Sequence, residues 1–227
     1  MPQPRLSEQE FLSGLVQSNH RVVVVGPSRD FDLDPSLAHI CSLVTHIRGN
    51  VTVVDPKLIS SGVPSGDSAR SFSKKKAKLL SEKSRGIIGG ALEHLDTLQE
   101  FRKSNPRLPF KLPVIRLGTA ISSGLRSESA HVWFLRGTQS WVQGEGQPAG
   151  NRYEQMIDEG QRVLKQGGKQ VYFFEKSDPE QLAAFVNVAK RKDISYEIHK
   201  LKQVPYSLGI RTVRPHYCYY LALVLHK

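Results

Sequence analysis

The sequence has only two cysteines among its 227 residues, Cys41 and Cys218, and neither has a second cysteine at CxxC spacing. Its eight histidines form no HExxH or H-x₃-H cluster. These absences argue against a disulfide framework and a zinc site. Asp30, Asp32 and Asp34 lie close together, but no glutamate follows at the spacing of a calcium-binding loop. We therefore predict no metal site.

Long apolar runs are also missing. The longest, Tyr217 to Leu225, is far shorter than the ~20 residues that a membrane-spanning helix needs. The amino-terminal residues MPQPRLSEQE contain neither the basic segment nor the apolar segment of a secretory signal. We predict an intracellular, cytoplasmic protein with no membrane partner, and a nuclear location stays open.

Acidic residues are outnumbered, 21 against 32 basic ones, which gives a formal net charge of +11. A surplus of this size favours polyanionic partners such as RNA, although solubility alone is an alternative reason for it. The densest basic run lies in a serine-, glycine- and lysine-rich stretch at about 58–86, which we predict to be a flexible insertion. Its candidate contacts to a nucleic-acid backbone, with a merely solvated surface as the alternative, are Arg70, Lys74, Lys75, Lys76 and Lys78.

Two apolar segments near the amino terminus predict a strand–helix–strand unit. Arg21 to Gly26 contains four successive valines and is typical of a strand buried on both faces. Asp34-Pro35 predicts a helix start, and the apolar positions of that helix extend to Ile47. Val51 to Asp55 is the second strand. A right-handed crossover would make the two strands parallel neighbours.

Five further strands follow, and the order predicts an α/β fold in one domain spanning residues 1–227. The last connection, residues 202–215, is too short for a helix and its turns, so we predict an antiparallel final strand. The predicted strands are Leu112 to Gly118, His131 to Gly137, Lys169 to Glu175, Ser195 to Leu201 and Tyr217 to Leu225.

This order resembles the class I superfamily of methyltransferases that depend on S-adenosylmethionine (SAM). The resemblance covers nearly the whole chain, from about Ser7 to Lys227. EGQRVLKQGGKQVYFF is similar to the family's helix, paired-glycine turn and fifth strand, and SYEIHKL with HYCYYLALVLHK is similar to its reversed hairpin. It implies a three-layer Rossmann-like sandwich with a seven-stranded, mostly parallel sheet and an antiparallel last strand. It also implies SAM as cofactor and methyl transfer to an unknown substrate, RNA or another anionic molecule.

The resemblance also implies where the cofactor binds. The loop after the first strand, VVVVGPSRD, keeps Gly26 but has Pro27 and Ser28 where the family has further glycines. Asp55 matches the acidic residue that hydrogen-bonds the ribose hydroxyls in the family. The candidate cofactor residues are Gly26, Pro27, Ser28, Asp55, Gly118, Thr119, Arg136 and Gly137.

A physical argument supports the same location. In open α/β sheets a ligand lies beyond the carboxyl ends of the strands, where the strand order reverses. A carboxylate there can accept two hydrogen bonds from a vicinal diol. Simpler roles stay open, because Gly26 could be only a turn glycine and Asp55 could merely end a strand.

The sequence lacks several motifs that are typical of nucleotide-binding proteins and of methyltransferases. The sequence lacks GxGxxG and GxxxxGK[ST], which weighs against NAD and ATP more than against SAM. It also lacks an Asn/Asp-Pro-Pro-Tyr motif and a catalytic cysteine motif, so the catalytic residues are unassigned. A non-catalytic nucleic-acid-binding protein on the same scaffold is the main alternative, and an NAD(P)-dependent reductase is a third.

Overall fold

The protein is described by a computed structural model. The residues that it describes are 5–26, 34–55, 95, 97–135, 149–175, 179–209, 211–213 and 219–227. The helices among them are α1 (Glu8–Leu15), α2 (Pro35–Leu43), α3 (residues 97–104), α4 (Ala149–Val163) and α5 (Pro179–Arg191). The strands are β1 (Leu6–Ser7), β2 (Arg21–Val25), β3 (Asn50–Asp55), β4 (Val114–Leu117), β5 (Ala130–Leu135), β6 (Leu164–Glu175), β7 (Tyr196–Lys202), β8 (Tyr206–Leu208), β9 (Arg211–Val213) and β10 (Tyr219–His226).

The main sheet has the order β1-β7-β10-β6-β5-β2-β3-β4. The pairs β3–β4, β2–β3, β2–β5 and β5–β6 are parallel, so that β2 lies between β3 and β5. The last strand, β10, is inserted between β6 and β7 and runs antiparallel to both. The predicted parallel pairing of the first two long strands and the predicted antiparallel final strand are therefore confirmed.

The valines of β2 show why the fold has three layers. Val22 and Val24 point into a core with α1, α2 and α3, whereas Val23 and Val25 point into a second core with α4 and α5. All four are at most 4% exposed. A strand covered on both faces must be apolar at every position, which is the reason for the unbroken valine run. The three-layer α/β sandwich predicted from the sequence is confirmed.

The strand count is a correction, because the described sheet has eight strands rather than seven. The additional strand is β1, which pairs in parallel with β7 through Leu6–Leu201 and Ser7–Lys202. Ser7 is also the N-cap of α1, with extended backbone and a capping box to Glu10. An extended N-cap beside a sheet edge adds two residues of pairing without an apolar pattern of its own, so no sequence pattern predicts a strand there.

Helix α2 is shorter than its apolar pattern predicts. It ends at Leu43, and Ile47 is 88% exposed instead of contributing to the core. The next residues instead turn back against the segment before β2, where the amide of His46 donates to the carbonyl of Ser18 at 3.0 Å. These tertiary hydrogen bonds replace the last helical turn that the pattern predicts.

Residues 202–215 contain a feature that the sequence did not predict. Strands β8 and β9 form a small antiparallel hairpin outside the main sheet. Tyr206 and Leu208 are buried against the α1–α2 side. The side chain of Gln9 accepts a hydrogen bond from the amide of Ser207 and donates one to its carbonyl, both at 2.9 Å. One glutamine thereby continues the strand-like hydrogen bonding of β8 and fixes the hairpin to α1.

Candidate cofactor site at the carboxyl ends of the strands

The strand order has one reversal, and it lies at the tip of β2. The chain passes from β2 to β3 and β4 on one side, then returns to the other side of β2 as β5. The helices that come next in the described chain after β2 and β5, α2 and α4, pack on opposite faces of the sheet. Ligands of open α/β sheets bind in the crevice that such a divergence creates. The topology thus selects the surroundings of Gly26 before any side chain is considered.

Gly26 follows β2 directly and has φ of +60°. This left-handed conformation favours glycine, because a Cβ atom would be crowded by the backbone. Its amide donates a hydrogen bond to the carbonyl of Val54 at 3.2 Å. The turn at Gly26 is therefore fixed beside the residue that immediately precedes Asp55.

Asp55 is the last residue of β3, and the structure describes its backbone. It pairs in register with Leu117 of β4, while the preceding residue, Val54, pairs with Val25 of β2. The backbone of Asp55 therefore lies between the tips of β2 and β4. The two predicted residues that matter most, Gly26 and Asp55, occupy neighbouring strand ends at the point of reversal.

Gly118 and Thr119 follow β4 and form a tight turn. A Cβ atom on Gly118 would lie 2.7 Å from the carbonyl oxygen of Ser123, so only glycine fits beside the returning chain. The Thr119 hydroxyl accepts a hydrogen bond from the amide of Ser122 at 2.9 Å. These contacts account for the two residues structurally, and their predicted contact with the cofactor stays a prediction.

This turn is anchored to α4 through a buried carboxylate. Glu159 accepts hydrogen bonds from the amide and hydroxyl of Ser123, at 2.8 and 2.6 Å. Arg162 donates two more, both at 2.8 Å. Burial alone would raise the pKa of Glu159, but the hydrogen bonds from Arg162 and Ser123 outweigh it and lower that pKa. The chain on the carboxyl side of β4 is therefore held by a charged, fully bonded network.

The N-terminus of α2 is capped by a carboxylate, which affects whether it can bind a phosphate group. One carboxylate oxygen of Asp34 accepts hydrogen bonds from the amides of Ser36 and Leu37, both at 3.0 Å, and from the Ser36 hydroxyl at 2.9 Å. Asp34 is only 4% exposed. A helix N-terminus binds phosphate through such amides and its positive dipole. Here the Asp34 carboxylate already accepts hydrogen bonds from the amides and offsets the positive end of the dipole, so this helix N-terminus is poorly suited to binding a pyrophosphate.

The remaining predicted positions cannot be placed. Pro27, Ser28, Arg136 and Gly137 lie outside the described residues. So does the whole basic run, Arg70, Lys74, Lys75, Lys76 and Lys78, together with the predicted insertion at about 58–86.

Other potentially reactive groups give no competing site in the described ranges. No three His, Cys, Asp or Glu side chains there come together as ligands for a metal ion. Cys41 is fully buried, and burial raises the pKa of its thiol, so it is not a nucleophile. None of the described helices is both long and apolar enough to cross a membrane.

Comparison with solved structures identifies the fold. A SAM-dependent methyltransferase from Aquifex aeolicus matches over 97% of this chain and 89% of its own, with a TM-score of 0.50 and 13% identity. The YcgJ protein from Bacillus subtilis matches over 96% of this chain and 97% of its own, with a TM-score of 0.53 and 10% identity. No protein-family model matches the sequence. No curated protein is significantly similar to it in sequence.

The chain therefore has the Rossmann-like α/β fold of SAM-dependent methyltransferases. At 10–13% identity the likeness concerns the fold and not the reaction. The two matches extend over 96–97% of this chain.

Proposed function

We propose that the protein is a SAM-dependent methyltransferase. The observation that carries this proposal is the adjacency of Gly26 and Asp55 at the reversal of strand order, in a methyltransferase fold. Gly26 would let the backbone approach the methionine part of the cofactor. The Asp55 carboxylate would accept hydrogen bonds from both ribose hydroxyls.

The chemistry of SAM suits what surrounds these residues. SAM has a sulfonium cation and no phosphate, so it needs no phosphate-binding helix start. The capping of α2 by Asp34 supports SAM over a dinucleotide, because a pyrophosphate would meet a carboxylate there. When bound, SAM would supply an activated methyl group. The protein would mainly position the acceptor in line with it.

An anionic substrate, RNA in particular, agrees with the net charge of +11. A surplus of positive charge raises the local concentration of a polyanion near the protein.

Isothermal titration calorimetry with S-adenosylhomocysteine tests the proposal. We expect micromolar affinity, and about a 100-fold loss in Asp55→Ala because two hydrogen bonds to a charged acceptor disappear. Asp158→Ala is the matched control, since it removes a half-exposed carboxylate from α4, where Asp158 pairs with Lys192. No heat and no thermal shift with the wild-type protein would refute the proposal. Equal affinity for wild type and Asp55→Ala would refute the assigned role of Asp55.

A second candidate is a non-catalytic nucleic-acid-binding protein that keeps this scaffold. It is favoured by the loop after Val25, in which Pro27 and Ser28 replace further glycines. It predicts RNA binding that weakens with salt, is insensitive to SAM and is reduced in the triple variant K74Q/K75Q/K76Q. RNA binding that this variant does not change would exclude the basic run as the contact surface.

A further inference from the structure

A hollow of about 490 Å³ lies at the amino-terminal ends of the parallel strands, whereas Gly26 and Asp55 lie at their carboxyl-terminal ends. Nothing in the sequence pattern marked it, because its residues come from four separate segments. Its lining consists of polar and basic side chains: Gln17, Ser18, Asn19, Arg21, His46, Arg48, His131 and Lys165.

The walls of this hollow are fixed by backbone contacts. The amides of His46 and Asn50 donate to the carbonyls of Ser18 and His20, at 3.0 and 3.1 Å. Gly49 permits this approach, because a Cβ atom there would lie 2.3 Å from the Ser18 carbonyl oxygen. The Lys111 ammonium donates to the carbonyls of His46, Ile47 and Gly49 from behind. The turn at residues 46–49 is thus held from both sides.

Three histidines have their ring orientation set by backbone donors. The amides of Gln17, Arg48 and Arg21 donate to Nδ1 of His20, His46 and His131, at 3.2, 3.2 and 2.9 Å. Since Nδ1 accepts in each ring, the neutral imidazole holds its proton on Nε2. His46 and His131, which line the hollow, therefore each have an Nε2–H donor. His20 and His131 also stack, with ring centroids 4.9 Å apart and planes at 9°.

The charges around the hollow have one sign. Arg21, Arg48 and Lys165 line it, and no carboxylate belongs to its described lining. Burial lowers the pKa of His131, and Lys165, His20 and Arg21 lower it further. Burial and then Lys169 lower the pKa of His20. Among the described residues, the charged neighbours that lower these two pKa values are all positive.

We propose that this hollow binds phosphate groups. Guanidinium and ammonium side chains with imidazole N–H donors are the groups that recognise a phosphate oxygen, through short charge-assisted hydrogen bonds. A buildup of positive charge without acidic partners is unfavourable unless an anion joins it. A phosphate would supply that anion and satisfy the Nε2–H donors.

The volume indicates a ligand larger than one free anion. A hollow of about 490 Å³ has the size of a site for a small organic molecule. Two sources of the phosphate fit, a free phosphorylated compound and the phosphodiester backbone of a nucleic acid. Neither requires a cofactor at the other end of the sheet, so this inference is independent of methyl transfer.

Pyrophosphate is the probe for the test, and the full-length protein is titrated with it at low salt by calorimetry and NMR. We expect shifts of the imidazole resonances of His20, His46 and His131. Removing two cationic partners in R48Q/K165Q should weaken binding about 10- to 100-fold. Both side chains are at least partly exposed, so the variant keeps its fold. K200Q/K202Q is the matched control, because it removes two exposed charges from β7, four strands away from β2.

A competition experiment identifies the source. If a single-stranded RNA oligomer displaces pyrophosphate and its binding also fails in R48Q/K165Q, the site takes a nucleic-acid backbone. If RNA does not displace pyrophosphate, the site takes a free phosphorylated compound. The proposal is wrong if pyrophosphate shifts none of the three histidines, or if R48Q/K165Q and K200Q/K202Q bind it equally. S-adenosylhomocysteine binding measured on the same samples tests the proposed function separately.

Discussion

The two ends of the parallel sheet differ in how their chemistry arises. At the carboxyl end, Gly26 directly follows β2 and Asp55 is the last residue of β3, so chain topology alone brings them together. At the amino end, Arg21 and Lys165 lie at the starts of β2 and β6, and the turn at residues 46–49 brings Arg48 to the same hollow. A site built by topology can be anticipated from strand order. A site built by turns is visible only in three dimensions.

The ends also differ in charge. At the carboxyl end, Asp34 caps the start of α2 and places a carboxylate among the helix amides. At the amino end, the described lining is polar or basic and contains no carboxylate. A cationic sulfonium and an anionic phosphate are therefore suited to opposite ends of one sheet.

The largest expected effect is at the amino end, in Gly49→Ala. The new methyl group would lie 2.3 Å from the Ser18 carbonyl oxygen and 2.8 Å from a Val44 methyl carbon, and neither neighbour can move freely. We expect the free energy of unfolding to fall by about 3 kcal/mol, the upper range for an overpacked site. Pyrophosphate binding should weaken, while S-adenosylhomocysteine binding stays.

Gly14→Ala is the control for this prediction, because an added Cβ at position 14 of α1 meets nothing within 4 Å. Chemical denaturation of both variants is the measurement. If Gly49→Ala were as stable as Gly14→Ala, the close contact between the two turns would not exist.

At the carboxyl end, Glu159→Gln should lower the free energy of unfolding by about 2 kcal/mol, since the charged acceptor of Ser123 and Arg162 is lost. The pKa of Glu159 is lowered in the folded state. Its stabilisation is thus present above the unfolded pKa of ~4.3 and is lost as pH falls through the lower folded pKa. Urea titrations from pH 7 to pH 3 should show a shallower acid loss in the variant. Glu154→Gln is the control, because Glu154 forms an ion pair with Lys192 at the surface. An equally large loss in the free energy of unfolding in this control would contradict the prediction.

Gly26→Ala tests the turn at the tip of β2. A residue with φ of +60° other than glycine costs about 1 kcal/mol. We expect that loss of stability together with weaker S-adenosylhomocysteine binding and unchanged pyrophosphate binding. The reverse pattern of ligand effects would mean that the two ends have been assigned to the wrong ligands.

The smallest effect is the pH response of the stacked histidines. The pKa values of His20 and His131 are lowered in the folded state by burial and by the cations nearby. As the pH falls, these two histidines are therefore protonated at a higher pH in the unfolded chain than in the folded protein. Stability should therefore fall as pH drops below ~6.5, until the folded-state pKa values are reached. His20→Gln/His131→Gln should flatten this part of the profile. An unchanged profile would show that the stack does not contribute.

The sequence predicted the fold through its most constrained parts. The valine run of β2 must be buried on both faces, and Asp34-Pro35 both caps and starts α2, so local chemistry and tertiary structure agree. It failed where tertiary hydrogen bonds decide. The apolar pattern of α2 extends to Ile47, but the helix ends at Leu43, and the amide of His46 instead donates a hydrogen bond to the carbonyl of Ser18.

The candidate site divides in the same way. Strand order predicted the adjacency of Gly26 and Asp55, because it follows from parallel pairing alone. The packing of Gly118 against Ser123 and the basic hollow depend on how loops return, which no local pattern encodes.

The insertion of β10 has a consequence for biosynthesis. Residues 219–226 form hydrogen bonds to β6 on one side and β7 on the other, although both of those strands leave the ribosome earlier. Until β10 emerges, β6 and β7 each lack a hydrogen-bonding partner on one edge, and unpaired strand edges recruit other chains. The nascent protein is therefore exposed to aggregation until residues 219–226 have left the ribosome, and a truncation ahead of Tyr219 would leave both edges unpaired.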